Sequence, residues 1–210
     1  MSTQLFGDWN KIPAFVNGLK QRWEKSVNQA LLKEGHLLRK GMITGITSGA
    51  PAGQAFVPLS PLTLAIRKAR GFGGNKPLIY SGTLRGAIVV HRASSGEVFI
   101  GLLRQAKAKD GKSLANLGEI HEFGKTWTQK RTRKQLRFLF AMMKKAGIAK
   151  PIGPKMPGGG FMSKNPDGTV TVSIPARPFV RPVLDKERPH IAQRFWENVA
   201  KGMGGDLAPQ

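Results

Sequence analysis

An apolar stripe that starts at Phe15 and returns at Leu19, Trp23, Val27, Leu31, Leu38 and Met42 constrains this chain more than any other feature. Steps of four and seven put these side chains on one helical face, while Lys20, Lys25, Lys33 and Lys40 fall mostly off it. Asp8 can cap the start, Pro13 fits only an opening turn, and Gly41, Gly45 and the Gly-Ala-Pro-Ala-Gly run at 49–53 weaken and end the helix. The expectation is one long amphipathic helix within residues 8–48. About 30 helical residues span about 45 Å, more than the core of a 210-residue chain can cover. Part of the stripe is therefore expected to meet another subunit.

Charge is the second constraint. Thirty-four Lys and Arg against 12 Asp and Glu give a formal charge of +22, where solubility alone asks for about 2–8 in a small domain. Such a field holds phosphates or an acidic partner by counterion release. Between Lys125 and Lys155 stand ten Lys or Arg and no acid, which makes this the most basic region. Cysteine is absent, which excludes disulfides, a thiol nucleophile and thiolate metal ligands and fits a reducing cytoplasm. No stretch approaches the roughly 18 apolar residues of a membrane span, and the amino terminus lacks the pattern of a signal peptide. The expectation is a soluble, non-exported protein with no membrane role.

The remaining elements follow from local signals. Ser60 and Pro61 read as a helix cap and first helical position, opening a short helix with Leu64, Arg67 and Lys68 that runs into a cationic glycine loop. Ala87 to His91 and Glu97 to Leu102 read as strands of a hairpin across Ser94, Ser95 and Gly96. Residues 104–112 are turn-like, and 114–124 are a strand or brief helix. Gln135 to Ala146 is a helix, the Gly-Pro-rich run that follows is a flexible loop, and Gly168 to Ile174 alternates as a strand. A closing helix is expected from Asp185 to Met203, with Pro189 in its opening turn or kinking it. There is no internal repeat. The order implies a single α+β domain, 1–210, with a small, mostly antiparallel sheet and helices packed on it. Its parts are the helix at 8–48, helix and strands at 57–124, a basic insertion at 125–173, and a proline elbow with a closing helix at 174–203.

Catalytic patterns are weak. Glu119, His121 and Glu122 lack the second histidine of a helical zinc site, and His36, His91 and His190 are scattered. Gly71 to Pro77 has the glycines and lysine of a phosphate cradle, but not the Gly-Lys-Ser/Thr step. No nucleophile elbow occurs. The expectation is a non-enzyme with no cofactor and no metal. Arg131, Arg133, Lys134 and Arg137, with Trp127 and Phe138 interleaved, are equally readable as a nucleic-acid face and as a solvated face with inward aromatics.

Four stretches resemble, in order, the tail-completion family of tailed bacteriophages, also called virion-morphogenesis, neck or minor tail proteins. They are PLSPLTLAIRKARG with KPLIYSGTLRGAI, then VFIGL, then EIHEFG, then IPARPFVRPVLD, within 58–185. The insertion at 125–173 departs from the compact family pattern. The resemblance implies a structural protein of the virion head-to-tail junction, assembled in the host cytoplasm. It also implies a homo-oligomeric ring, sixfold by expectation, between head-completion and tail-terminator proteins, with DNA passing through or ending near the bore. DNA contact would be nonspecific, through Arg131, Arg133, Lys134 and Arg137, with Arg67, Lys68 and Arg70 second. Pro175, Pro178 and Pro182 stiffen an elbow, expected to dock Arg177, Phe179 and Arg181 on a neighbouring subunit, although Phe179 could instead fold onto its own sheet. The alternative, on charge alone, is a nonspecific RNA- or DNA-binding module of ribosomal-protein type.

Overall fold

The computed structural model describes residues 11–130, 132–145, 161–164 and 169–204. The fold is α+β. Six helices are described: α1 Ile12–Ser48, α2 Pro61–Ala69, α3 Thr83–Gly86, α4 Leu114–Phe123, α5 Arg133–Lys145 and α6 Arg181–Met203. A 3-10 turn, Pro51–Gly53, follows α1. Strands β1 Ile88–Ser94 and β2 Glu97–Leu102 form a two-stranded sheet; a two-residue connection obliges them to run antiparallel. Strands β3 Lys125–Lys130, β4 Phe161–Lys164 and β5 Thr169–Ile174 form a second sheet in the order β3-β5-β4. Both pairings in it are antiparallel, with Trp127 opposite Val172 and Met162 opposite the same residue from the other side. No helix among the described residues is long and apolar enough to cross a membrane.

The chain resolves into two compact units, neither a continuous stretch: 1–38, 90–100 and 187–210, and 39–89 with 101–186. In the first, a Cβ on Gly35 would lie 2.9 Å from Val90 and 3.1 Å from Val98, so the glycine lets helix and hairpin approach closely. Gly202 serves α6 similarly, since its Cβ would lie 2.5 Å from the Ser26 hydroxyl. In the second, Met42, Ile46, Phe56, Ile88, Leu114, Phe179 and Val183 form the buried centre.

Local chemistry sets the boundaries. Helix α1 runs through Gly41 and Gly45 and ends where Gly49 takes φ 82°. The Ala50 amide then bonds back to the Gly45 carbonyl at 3.1 Å, the 6→1 closure of a Schellman end. The cap expected from Asp8 lies outside the described residues. Ser60 caps α2, accepting from the Thr63 amide, with Pro61 following. Thr132 and Gln135 exchange side-chain to backbone bonds at α5, a reciprocal capping box.

Four readings are refined. Residues 114–123 are helical, because Ser113 accepts from the Asn116 amide as an N-cap. Two strands escaped sequence reading: β3 sits inside the basic run, and β4 follows the Gly-Pro-rich segment. That segment, 146–160, lies outside the described residues. Helix α6 begins at Arg181, four residues before the expected start, so Pro189 falls inside it, neither in its opening turn nor at its end.

Candidate functional site

The proline elbow is the most constrained part of the second unit. Three backbone amides, those of Phe179, Val180 and Arg181, converge on the Glu122 carboxylate at 2.8, 3.1 and 2.8 Å. The Val180 carbonyl accepts from Leu184 and starts α6. A carboxylate at that position satisfies donors that have no helical partner and interacts favourably with the helix dipole. Glu122 is 57 to 59 positions away in the chain, so one side chain of α4 fixes where α6 begins.

Arg177 is 4% exposed. Its amide donates to the His121 carbonyl at 2.6 Å, its Nε to Val57 at 2.8 Å and its Nη2 to Pro58 at 3.1 Å. Phe179 is 2% exposed, and its ring tip lies 3.7 Å from where a Gly118 Cβ would stand. These placements correct the expected docking arm for two of its residues. Arg177 and Phe179 are engaged inside their own chain, because Glu122 holds the amides of residues 179–181 and turns the segment back onto α4. Arg181 is exposed, while Pro175 and Pro178 are half-buried.

Arg67 needs the same correction. It is 8% exposed, with Nη1 donating to Lys76 and Ile79 carbonyls at 2.9 and 3.0 Å and its guanidinium 5.6 Å from the Tyr80 ring centre. It holds the loop after α2 rather than facing DNA. Lys68, Arg70, Lys134 and Arg137 are exposed. Helix α2 packs against α5, so the two basic helices chosen from sequence are neighbours. Arg131 and the Arg133 side chain lie outside the described residues.

His121 lies between these arginines. Burial, with repulsion from Arg177 and Arg67, pushes its imidazole down from 6.5 to about 4. Above pH 6.5 the group is neutral in both folded and unfolded chains and adds no pH dependence. As pH falls from 6.5 toward 4 the unfolded chain takes the proton first, so stability drops by up to about 1.4 kcal/mol per unit. Below about 4 both states are protonated and the loss is complete. The wild-type protein should therefore lose more stability across this window than His121→Gln, measured by urea unfolding at several pH values; equal losses would remove His121 as the source. Among the described residues no group of three or more His, Asp or Glu is arranged to hold a metal.

Compared with family models, curated proteins and solved structures, the chain matches none. Sequence reasoning found the residues of this region but missed their roles. Glu122 read as part of a failed zinc pattern and of the EIHEFG stretch, and nothing local to it announces a cap for a helix 59 residues on.

Proposed function

We propose that this chain is a structural protein of the tailed-phage head-to-tail junction, a tail-completion or neck component that assembles as a homo-oligomeric ring, with six copies as the expected order, where DNA passes or ends. One observation carries the reading: three of the four stretches of the resemblance, with the last two residues of VFIGL, lie in one compact unit and are tied to one another there. Arg177 of IPARPF donates to the carbonyls of Val57 and Pro58, at the start of PLSP. Glu122 of EIHEFG accepts from the amide of Phe179, which ends IPARPF, and from those of Val180 and Arg181 just after it. Arg67 joins the two halves of the first block, and Leu102 of VFIGL packs where a Gly118 side chain would go. Residues that fix a fold jointly are those expected to persist as an ordered set, which favours a shared fold over four chance matches.

Two surfaces suit the role. In the first unit Trp23 and Trp196, 41% and 49% exposed, lie 6.2 Å apart, and exposed aromatic pairs are good anchors for a neighbouring copy. In the second, α2 and α5 bring Lys68, Lys134 and Arg137 into one basic region suited to holding a duplex without reading its sequence. Changing these three to alanine is expected to lower the slope of log K against log salt for duplex binding by about 2–3. An unchanged slope in a salt titration would take this region out of the bore.

The decisive experiment is genetic. A phage unable to make the protein should accumulate DNA-filled heads and unjoined tails, and antibody to the protein should label the neck of complete particles in electron micrographs. Normal infectious yield without it overturns the reading. Absence from particles, with salt-sensitive binding of ribosomal RNA by the monomer, supports the nucleic-acid module instead.

A further inference from the structure

The second unit contains a recess of about 870 Å³, walled by the end of α2, residues 78–84, the turn at 108–114, α4 and the elbow. It carries more positive charge than the fold employs. Arg67 and Arg177 both line it, and their side-chain hydrogen bonds go to carbonyl oxygens, with the Tyr80 ring beside Arg67. His121 lines the same recess, and its Nδ1 is buried with no hydrogen-bond partner among them. Arg70 and Lys109 are also in the wall and make no ion pair among the described residues. The wall's one acid, Asp110, is engaged by Lys112 at 2.8 Å.

Carbonyl oxygens fix a guanidinium in place without cancelling its charge. Two buried guanidiniums lining one recess, with the Arg177 pKa lowered by burial and then by the charge of Arg67, and an orphaned ring nitrogen in the same wall, leave an environment completed by an anion. The form of the wall says which anion. Leu59, Leu78, Leu84, Leu114 and Ile120 supply much of it, and at 3.9 Å the rings of Phe72 and Tyr80 stack along it. A nucleic-acid backbone seeks exposed cations on an open face and would waste these apolar walls. A carboxylate forks onto a guanidinium, and apolar neighbours in the same segment would cover the leucines. A second copy of this chain, with 12 acids against 34 bases, offers few carboxylates and is a poor source.

We propose that this recess is a docking site for a carboxylate side chain flanked by apolar residues, presented by an acidic segment of another protein. The site stands on this geometry whether or not the chain belongs to a virion. The test is titration calorimetry of the full chain with the blocked peptide Leu-Asp-Phe-Glu-Leu and its amide counterpart Leu-Asn-Phe-Gln-Leu in about 0.15 M salt, which screens the general field. The acidic peptide should bind at least about tenfold more tightly, the factor equivalent to one charge-assisted hydrogen bond. Arg70→Ala with Lys109→Ala should weaken it several-fold while the melting temperature stays unchanged. The His121 ring signals in NMR should move on titration. Equal binding of the two peptides, indifference to the double variant, or still His121 signals would each overturn the site. So would displacement of the peptide by inorganic phosphate or a short duplex at comparable concentration, which would assign the recess to phosphate.

Discussion

Phe179→Ala should lower the stability of the isolated chain by about 3–5 kcal/mol, the range for emptying a buried phenylalanine site. For a chain of this length that is a fall in Tm of roughly 6–20 °C. The reason is placement: at 2% exposure Phe179 is among the most buried large side chains of the second unit. Its ring reaches α4 at Gly118, where Leu102 also packs and the missing side chain leaves room for both. Two amides beside it are already committed to Glu122, so the backbone has little freedom to collapse into the cavity, and the cost should sit toward the upper part of the range. A docking arm would behave differently. If Phe179 inserted into a neighbouring subunit, the monomer of the variant would melt like wild type and only assembly would fail. Chemical denaturation of dilute protein separates the two, and an unchanged midpoint would restore the docking role.

The elbow also illustrates what a sequence can and cannot convey. Pro175, Pro178 and Pro182 announce a stiff segment, because proline restricts itself and its predecessor. Stiffness has no direction, however. Whether the segment reaches outward or folds back depends on Glu122, which lies on another helix. The early start of α6 follows from the same fact: Pro182 sits in the first turn, where proline is tolerated, but only a distant carboxylate makes residues 179–181 a viable helix start. Several local signals were legible, Ser60 with Pro61, the α1 stripe and the alternation of β5, although the Ser113 cap of α4 and the Thr132–Gln135 capping box of α5 were not. Strand β3 was hidden because its lysines drew attention to charge, although Thr126, Trp127 and Thr128 alternate. Their cross-strand hydroxyl pairs, Thr126 with Ser173 and Thr128 with Thr171, join residues more than 40 apart.

Arginine was the residue type most easily misread. Of the arginines chosen from sequence as outward-facing, Arg67 and Arg177 are spent on backbone carbonyls, a use that requires only that a loop turn its oxygens toward them. No pattern in sequence encodes that. Exposed Lys68, Arg70, Lys134 and Arg137 are at positions where composition was a fair guide, because a cation with nothing to hold stays in water.

Arg194→Ala should cost about 3–5 kcal/mol, the penalty for leaving one member of a buried ion pair alone. In the first unit Arg194 grips both oxygens of Glu34 at 2.9 to 3.2 Å and Glu187 at 2.8 Å. The Glu34 side chain is 8% exposed and that of Arg194 26%. The asymmetry decides the outcome. Removing Arg194 strands a carboxylate in a site that water barely reaches, whereas removing Glu34 leaves Arg194 with Glu187 and some solvent. Glu34→Gln should therefore be the milder change by about 1 kcal/mol or more. Replacing both partners together, Glu34→Met with Arg194→Met, should recover most of the loss, because the charges and their desolvation disappear in one step. Urea denaturation of the three variants measures the order. A double variant no more stable than Arg194→Ala would mean that the arginine stabilises through the packing of its stem and not through the charge it neutralises.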